Sequence, residues 1–150
     1  MRKKSTNAIH NILLSKVDYK ALKDLINEYS ASVDARIKKP ILVAKEKLNK
    51  AKIYEPGDFR LADVVTTNSA VRFKNLSTKE DKEYLIVYPK LQCKELGRIS
   101  ILSDLGIALI GQRKGSTIEV KGLENQKYRV QIMDIQPTSL EWIKRLEEQC

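Results

Sequence analysis

The N-terminal third of the chain has the hydrophobic spacing of a helix. Between residues 16 and 37, apolar positions recur mostly every three or four residues, which is typical of one helical face. These positions are Val17, Leu22, Leu25, Ile26, Tyr29, Val33 and Ile37. Ser15, followed by Asp18 three residues later, is a typical start signal. The pattern therefore predicts a helix over about 16–37.

A second helix is predicted over about 40–53. Its apolar positions are Ile41, Leu42, Ala44, Leu48, Ala51 and Ile53. Pro40 suits a first helical turn and not a helix interior, so we place it at the helix start. Because the link between the two helices is short, we expect an antiparallel helical hairpin over residues 15–55, behind a flexible basic lead at 1–14.

After the turn residues 55–58 (Glu-Pro-Gly-Asp), the pattern changes to the two-residue alternation of strands. Strands are predicted at 70–76, 84–88, 117–120 and 127–135. The first two are expected to form one antiparallel hairpin and the last two another. The sequence thus predicts an antiparallel sheet in a domain over residues 58–136.

A short helix is predicted in the middle of this domain. Ser103 and Asp104 are good N-cap residues, an apolar run follows from Leu105 to Ile110, and Gly111 suits a left-handed C-cap. A last helix is predicted over 138–150 from a capping box at its start. The fold class expected from these elements is α+β.

Charge is unevenly distributed along the 150 residues. The net charge is +9, of which residues 1–56 carry +7. Lysines on the predicted hairpin recur at helical spacings; they are Lys16, Lys20 and Lys23, and Lys45 and Lys52. Such a segment can bind nucleic acid or an acidic protein face, or can simply be a solvated helix surface. Nucleic-acid binding through the hairpin therefore stays open as an alternative function.

Residues typical of catalytic and metal sites are few. His10 is the only histidine, which argues against a His-based catalytic set or metal site. The stretch from Lys114 to Thr117 lacks the spacing of a phosphate-binding loop. No apolar run approaches 18 residues, so we expect no membrane span. Cys93 and Cys150 are expected to be free thiols in a reducing cytoplasm. We expect no intrinsic enzyme activity, no metal and no cofactor.

Three segments in order carry a resemblance to a known family. They are residues 63–77 (DVVTTNSAVRFKNLS), 84–89 (YLIVYP) and 103–111 (SDLGIALIG), the last followed by the Gly115-Ser116 turn. Over about residues 36–136 the chain resembles the C-terminal domain of the bacterial transcript-cleavage factors GreA and GreB. It resembles still more their short Rnk-like relatives, the regulators of nucleoside diphosphate kinase. In the third segment Asp104 replaces the family's Pro, and Ile107 replaces its Arg.

The resemblance implies an FKBP-like domain behind a coiled-coil hairpin, in a cytoplasmic, monomeric factor that binds core RNA polymerase at the rim of its secondary channel. It implies that Ser103, Asp104, Leu105 and Gly106 form the polymerase-docking turn. In long family members the hairpin tip carries paired acidic residues. These help to hold a second Mg²⁺ at the polymerase active centre, where RNA is cut.

The predicted hairpin tip departs from that pattern. Asp34 is its one acid, whereas Arg36, Lys38 and Lys39 are basic, and Glu28 lies six residues before Asp34. A basic tip would repel Mg²⁺, and the predicted second helix is only about 20 Å long. We therefore expect a regulator of transcription elongation without stimulation of transcript cleavage.

The implied fold is also that of peptidyl-prolyl isomerases, and this gives a further alternative. Isomerase pockets are lined by aromatic side chains. The candidate aromatic residues for such a pocket are Phe59, Phe73, Tyr84, Tyr88 and Tyr128. Their alternation with polar neighbours is more typical of core and sheet-face positions.

Overall fold

A computed structural model describes residues 12–122, 126–136 and 144 of the chain. The fold is α+β: a helical hairpin packs against a curled five-stranded mixed sheet. The helices are α1 (Lys16–Tyr29), α2 (Ala35–Lys50) and α3 (Asp104–Leu109). The strands are β1 (Leu13–Ser15), β2 (Lys52–Tyr54), β3 (Ala70–Asn75), β4 (Asp81–Val87), β5 (Arg98–Ser100), β6 (Thr117–Lys121) and β7 (Lys127–Gln136).

The hairpin is confirmed, but its turn lies earlier than predicted. Ser15 caps α1 as expected, with its side chain accepting the N–H of Asp18 at 3.0 Å. Helix α1 ends at Tyr29 rather than near 37, since Asp34 caps a new helix that begins at Ala35. Pro40 consequently lies inside α2 and not in its first turn. At 1.5 Å per residue, the helices are about 21 and 24 Å long.

The five-stranded sheet has the order β5-β4-β3-β7-β6. The predicted pairs β3–β4 and β6–β7 are antiparallel, and β7 also pairs with β3, with a bulge between Arg72 and Phe73. Strand β5 pairs with β4 in parallel. The expectation of a purely antiparallel sheet is therefore wrong, because the chain returns to the edge of β4 through residues 88–97 in the same direction.

A small two-stranded parallel sheet, β1–β2, was missed by the sequence pattern because each strand has only three residues. Residues 12–14 are therefore buried in the interior, and their prediction as part of a flexible lead is wrong. Ile12 and Leu14 are fully buried. The N–H of Leu13 donates to the carbonyl of Gly111 at 3.1 Å, so this segment is fixed to the loop after α3.

Hairpin and sheet share one hydrophobic core. Leu22 and Ile26 of α1 and Ile41 and Ala44 of α2 are buried in the same cluster as the inner face of the sheet and α3. The apolar faces of the two helices therefore pack against the sheet and α3 of the same chain. The hairpin lies along the domain and does not project freely from it.

Two further expectations concern the cysteines and the ends of the chain. Cys93 is disulfide-bonded, so the expectation of a free thiol at this position is wrong. Residues 1–11, Cys150 and, apart from Lys144, the predicted last helix lie outside the described residues. No helix in the described ranges is long and apolar enough to cross a membrane.

Candidate functional site

The predicted docking turn is a tightly hydrogen-bonded entry into α3. Ser103 is the N-cap: its Oγ accepts the N–H of Gly106 at 3.0 Å and donates to the carbonyl of Ser100 at 2.6 Å. One hydroxyl therefore ties the end of β5 to the first turn of α3. The backbone of the turn is held by these two hydrogen bonds.

Gly106 is required by close packing in this turn. A Cβ at this position would lie 2.0 Å from the carbonyl oxygen of Ser100, a distance that no real contact reaches. The φ of Gly106 is not in the left-handed region, so space and not backbone conformation is the reason for the glycine. Gly111 differs, since its φ of 84° confirms the predicted left-handed cap.

Three docking-turn residues, Ser103, Asp104 and Leu105, are half-buried, and Leu105 packs against the core. Gly106 is buried. Burial raises the pKa of the Asp104 carboxyl, while the charge of Lys39 on α2 opposes that rise. Asp104 therefore occupies an electrostatic environment that the hairpin partly determines.

At the hairpin tip, the carboxylate of Asp34 is engaged by Arg36. Asp34 Oδ1 accepts hydrogen bonds from the backbone N–H of Arg36 (2.9 Å) and from the Arg36 Nε–H (3.2 Å). Asp34 Oδ2 accepts a hydrogen bond from Arg36 Nη2 (3.1 Å). These hydrogen bonds lower the pKa of Asp34 and raise that of Arg36. Asp34 is thus a helix cap and an ion-pair partner.

The other predicted tip residues lie on helices and not in the loop. Arg36, Lys38 and Lys39 belong to the first turns of α2. Glu28, which was not assigned to the tip, is exposed on α1, one residue before its end. Lys39 Nζ donates to the carbonyl of Gly122, at the end of β6. Of the predicted tip set, only Asp34 lies in the loop.

The structure brings the hairpin tip and the docking turn together. A cleft of about 470 Å³ lies between them, with Asp34 and Ile37 on one side and Ser103 and Asp104 on the other. Sequence spacing alone could not predict this proximity, since residues 34 and 103 lie on separate elements. The shared cleft makes the two predicted regions parts of one face.

Lys47 is a buried cation that the sequence analysis missed. It is 1% exposed, and its Nζ donates to the carbonyls of Ala108 (3.0 Å) and Ile110 at the end of α3. Burial lowers its pKa from 10.5 to about 7. The sequence signal for the burial of Lys47 was its position on the apolar side of α2, between Ala44 and Leu48. Lys47 joins the hairpin to the helix that carries the docking turn.

The lysines proposed for nucleic-acid binding do not form one unpaired surface. Lys16 pairs with Glu55, and Lys20 pairs with Asp24 at 3.0 Å. Lys23, Lys45 and Lys52 are exposed. Exposed ion pairs of this kind are weak, but they reduce the positive potential of the α1 surface.

The five aromatic residues considered for an isomerase pocket separate into different sites. Phe59 is 82% exposed and lies beside Arg60. The pKa of Tyr88 is raised by burial and by the charge of Asp18, which places it beside α1. Phe73, Tyr84 and Tyr128 do line one cleft, beside the docking turn.

Comparisons with known proteins give the same family as the motifs. Residues 60–137 match the model for "Transcription elongation factor, GreA/GreB, C-term". The chain is 41% identical over 56 residues to the regulator of nucleoside diphosphate kinase of Escherichia coli K12, covering 37% of this chain but only 41% of that relative. It is 32% identical over 107 residues to GreA of Thermotoga maritima, covering 69% of this chain and 67% of that protein.

A solved structure also matches. The prokaryotic transcription elongation factor GreA/GreB from Nitrosomonas europaea superposes with a TM-score of 0.64 at 30% identity, covering 83% of this chain and 98% of that one. The family match extends over more than half of the chain and includes the docking turn and most of the sheet. The resemblance found in the motifs is confirmed: this chain belongs to the GreA/GreB family of transcription elongation factors.

Proposed function

We propose that this protein is a bacterial regulator of transcription elongation that binds core RNA polymerase at the secondary channel and does not stimulate transcript cleavage. Binding to polymerase is supported by family membership and by the rigid docking turn at Ser103–Gly106. The sheet around α3 is proposed to be of the FKBP-like type, because it curls around one short helix.

The proposal that the protein does not stimulate transcript cleavage rests on the hydrogen bonds of the Asp34 carboxylate. Both of its carboxylate oxygens are hydrogen-bonded to Arg36, and Lys38 follows on the next turn. Asp34 stays ionised, but its oxygens must give up the hydrogen bonds to Arg36 before they can bind Mg²⁺, and the neighbouring positive charges oppose the approach of a cation. The hairpin tip therefore does not fit the metal-holding role of the long family members.

We propose that the protein acts as a monomer in the cytoplasm, beside the polymerase. Leu22 and Ile26 of α1 and Ile41 and Ala44 of α2 are buried in one cluster with the sheet and α3 of the same chain, so this apolar face does not need a second copy to cover it. Its helices of about 21 and 24 Å also limit how far the tip can extend into a channel.

Binding to purified core RNA polymerase tests the first half of the proposal. We expect the protein to co-elute with core polymerase at low salt, and Leu105→Ala to reduce that binding. The matched control is Leu42→Ala, since Leu42 is 65% exposed on the outer side of α2. Failure of the wild-type protein to bind core polymerase would remove the basis of the proposal.

A further inference from the structure

A narrow cavity of about 50 Å³ lies between α2, α3 and β6. We call it the lysine cavity, because Lys47 lines it. All three elements contribute apolar walls, namely Pro40, Val43, Ala108 and Ile118. A water needs about 10–15 Å³ of such volume. The lysine cavity therefore has room for about three to five groups of the size of a water.

Two buried polar side chains line the lysine cavity. Lys47 is 1% exposed and Gln112 is 3% exposed. An ammonium has three N–H donors, and Lys47 uses two of them for the carbonyls of Ala108 and Ile110. The side-chain amide of Gln112 has no hydrogen-bond partner among the residues that the structure describes. Because buried polar groups are normally hydrogen-bonded, both side chains indicate a polar occupant of the cavity.

The charge of Lys47 has no counter-ion in the described part of the chain. Burial is the one cause of its lowered pKa, so no described carboxylate is close enough to act on the ammonium. The other charged residues that line the cavity are exposed or half-buried; they are Lys39, Glu46, Asp104, Glu119 and Lys121. An anion beside Lys47 would offset the cost of burying its charge.

A small carboxylate matches this arrangement. Its oxygens accept hydrogen bonds, one from the remaining N–H of Lys47 and another from the NH₂ group of Gln112. The apolar walls favour an alkyl group on the same ligand, and the volume limits that group to one or two carbons.

We propose that the lysine cavity binds a short-chain carboxylate, acetate or propionate, with its oxygens between Lys47 and Gln112 and its alkyl group against Val43 and Ile118. The ligand joins the hairpin to α3, the helix that carries the docking turn. This inference goes beyond the proposed function, since binding of the carboxylate requires no polymerase.

An NMR titration of the full-length protein tests the inference. Sodium acetate or propionate is added at about pH 6, where Lys47 is charged, and sodium chloride at the same ionic strength is the control. We expect saturable shifts of the backbone amides of Lys47, Ala108 and Gln112, with a Kd of about 1 mM because so small a ligand makes few contacts. Acetamide has the shape of acetate without its charge, and it should bind at least about tenfold more weakly.

Variants test which side chains hold the carboxylate. Gln112→Met removes the amide, Lys47→Met removes the ammonium, and each should raise the Kd for acetate at least about tenfold. The matched control is Lys45→Met, which removes an exposed lysine of α2 outside the cavity and should change the Kd less than about twofold. Thermal melting shows whether each variant is folded. Gln112→Met remains informative if Lys47→Met is not folded, and the acetamide comparison needs no variant.

Several results would overturn the inference. Absence of saturable shifts with acetate and propionate would mean that water alone fills the cavity. Equal shifts with chloride would mean an adventitious ion only, and tighter binding of inorganic phosphate would mean a different class of anion. Equal acetate binding by folded Gln112→Met and wild type would place the carboxylate elsewhere. None of these results bears on polymerase binding, so the inference and the proposed function fail separately.

Discussion

The buried ammonium of Lys47 should make this protein more stable as the pH rises above neutral. Burial lowers the pKa of Lys47 in the folded state to about 7, against 10.5 for the ordinary side chain. Between these two values the folded state binds fewer protons than the unfolded state, so the free energy of unfolding rises with pH. Below about pH 7 Lys47 is charged in both states, and the gain is lost.

The size of the effect follows from the linkage of proton binding to folding. One proton released on folding gives a slope of about 1.4 kcal/mol per pH unit. Because Lys47 is half titrated near its folded pKa, we expect a gain of about 2 kcal/mol between about pH 7 and about pH 9. The raised pKa values of Tyr88 and Tyr128 act in the opposite direction, but only near and above their ordinary value of 10.0.

Urea unfolding at a series of pH values measures this gain directly. The matched control is Lys47→Met, which has a similar length and no titratable group, so the pH-dependent gain should disappear. This variant leaves the carbonyls of Ala108 and Ile110 without their Lys47 donor, and it should be less stable overall. Equal pH dependence of the wild type and Lys47→Met would refute the reasoning, as would a folded-state pKa near 10.5 from an NMR titration of the Lys47 side chain.

Substitutions at three further positions, two of them with a comparison variant, test the packing and capping of the domain by thermal or denaturant unfolding. Gly106→Ala should cost about 3 kcal/mol or more, because its Cβ would meet the Ser100 carbonyl at 2.0 Å, whereas Gly122→Ala has no neighbour closer than 3.7 Å and should cost less than about 1 kcal/mol. Leu22→Ala, at a fully buried position in the shared core, should cost about 2–5 kcal/mol and leave one cooperative transition; separate melting of helix and sheet would contradict a common core. Asp34→Ala should cost about 1 kcal/mol through loss of the α2 cap, and Asp34→Asn, which keeps a capping oxygen, should cost less; equal losses would mean that the cap is unimportant.

Local signals in the sequence predicted most elements of the domain. Two-residue alternation placed β3, β4, β6 and β7 to within a few residues, and the Ser103 cap and Gly111 bounded α3. These predictions succeeded because strand alternation, caps and positive φ depend on residues close together in the chain.

Features that depend on distant contacts were not predictable in this way. The helical spacing continued through Val33 to Ile37, but Val33 is 88% exposed in the loop, and Ile37 resumes the pattern on a different helix. The inward direction of Lys47 depends on carbonyls some sixty residues away. Motif spacing likewise identified Ser103–Gly106 but gave no reason to place Tyr84, Tyr128 or Asp34 beside that turn.

Transcript cleavage by stalled, backtracked RNA polymerase tests the central claim most directly. The protein is added alone and together with a long GreA factor, and the rate of RNA shortening is measured. We predict no acceleration by the protein alone and a slower GreA-stimulated reaction in its presence, with the slowing relieved by more GreA. Acceleration by the protein alone, lost in Asp34→Asn, would show that Asp34 reaches the active centre and would contradict this account. Absence of any effect, with or without GreA, would contradict docking at the secondary channel.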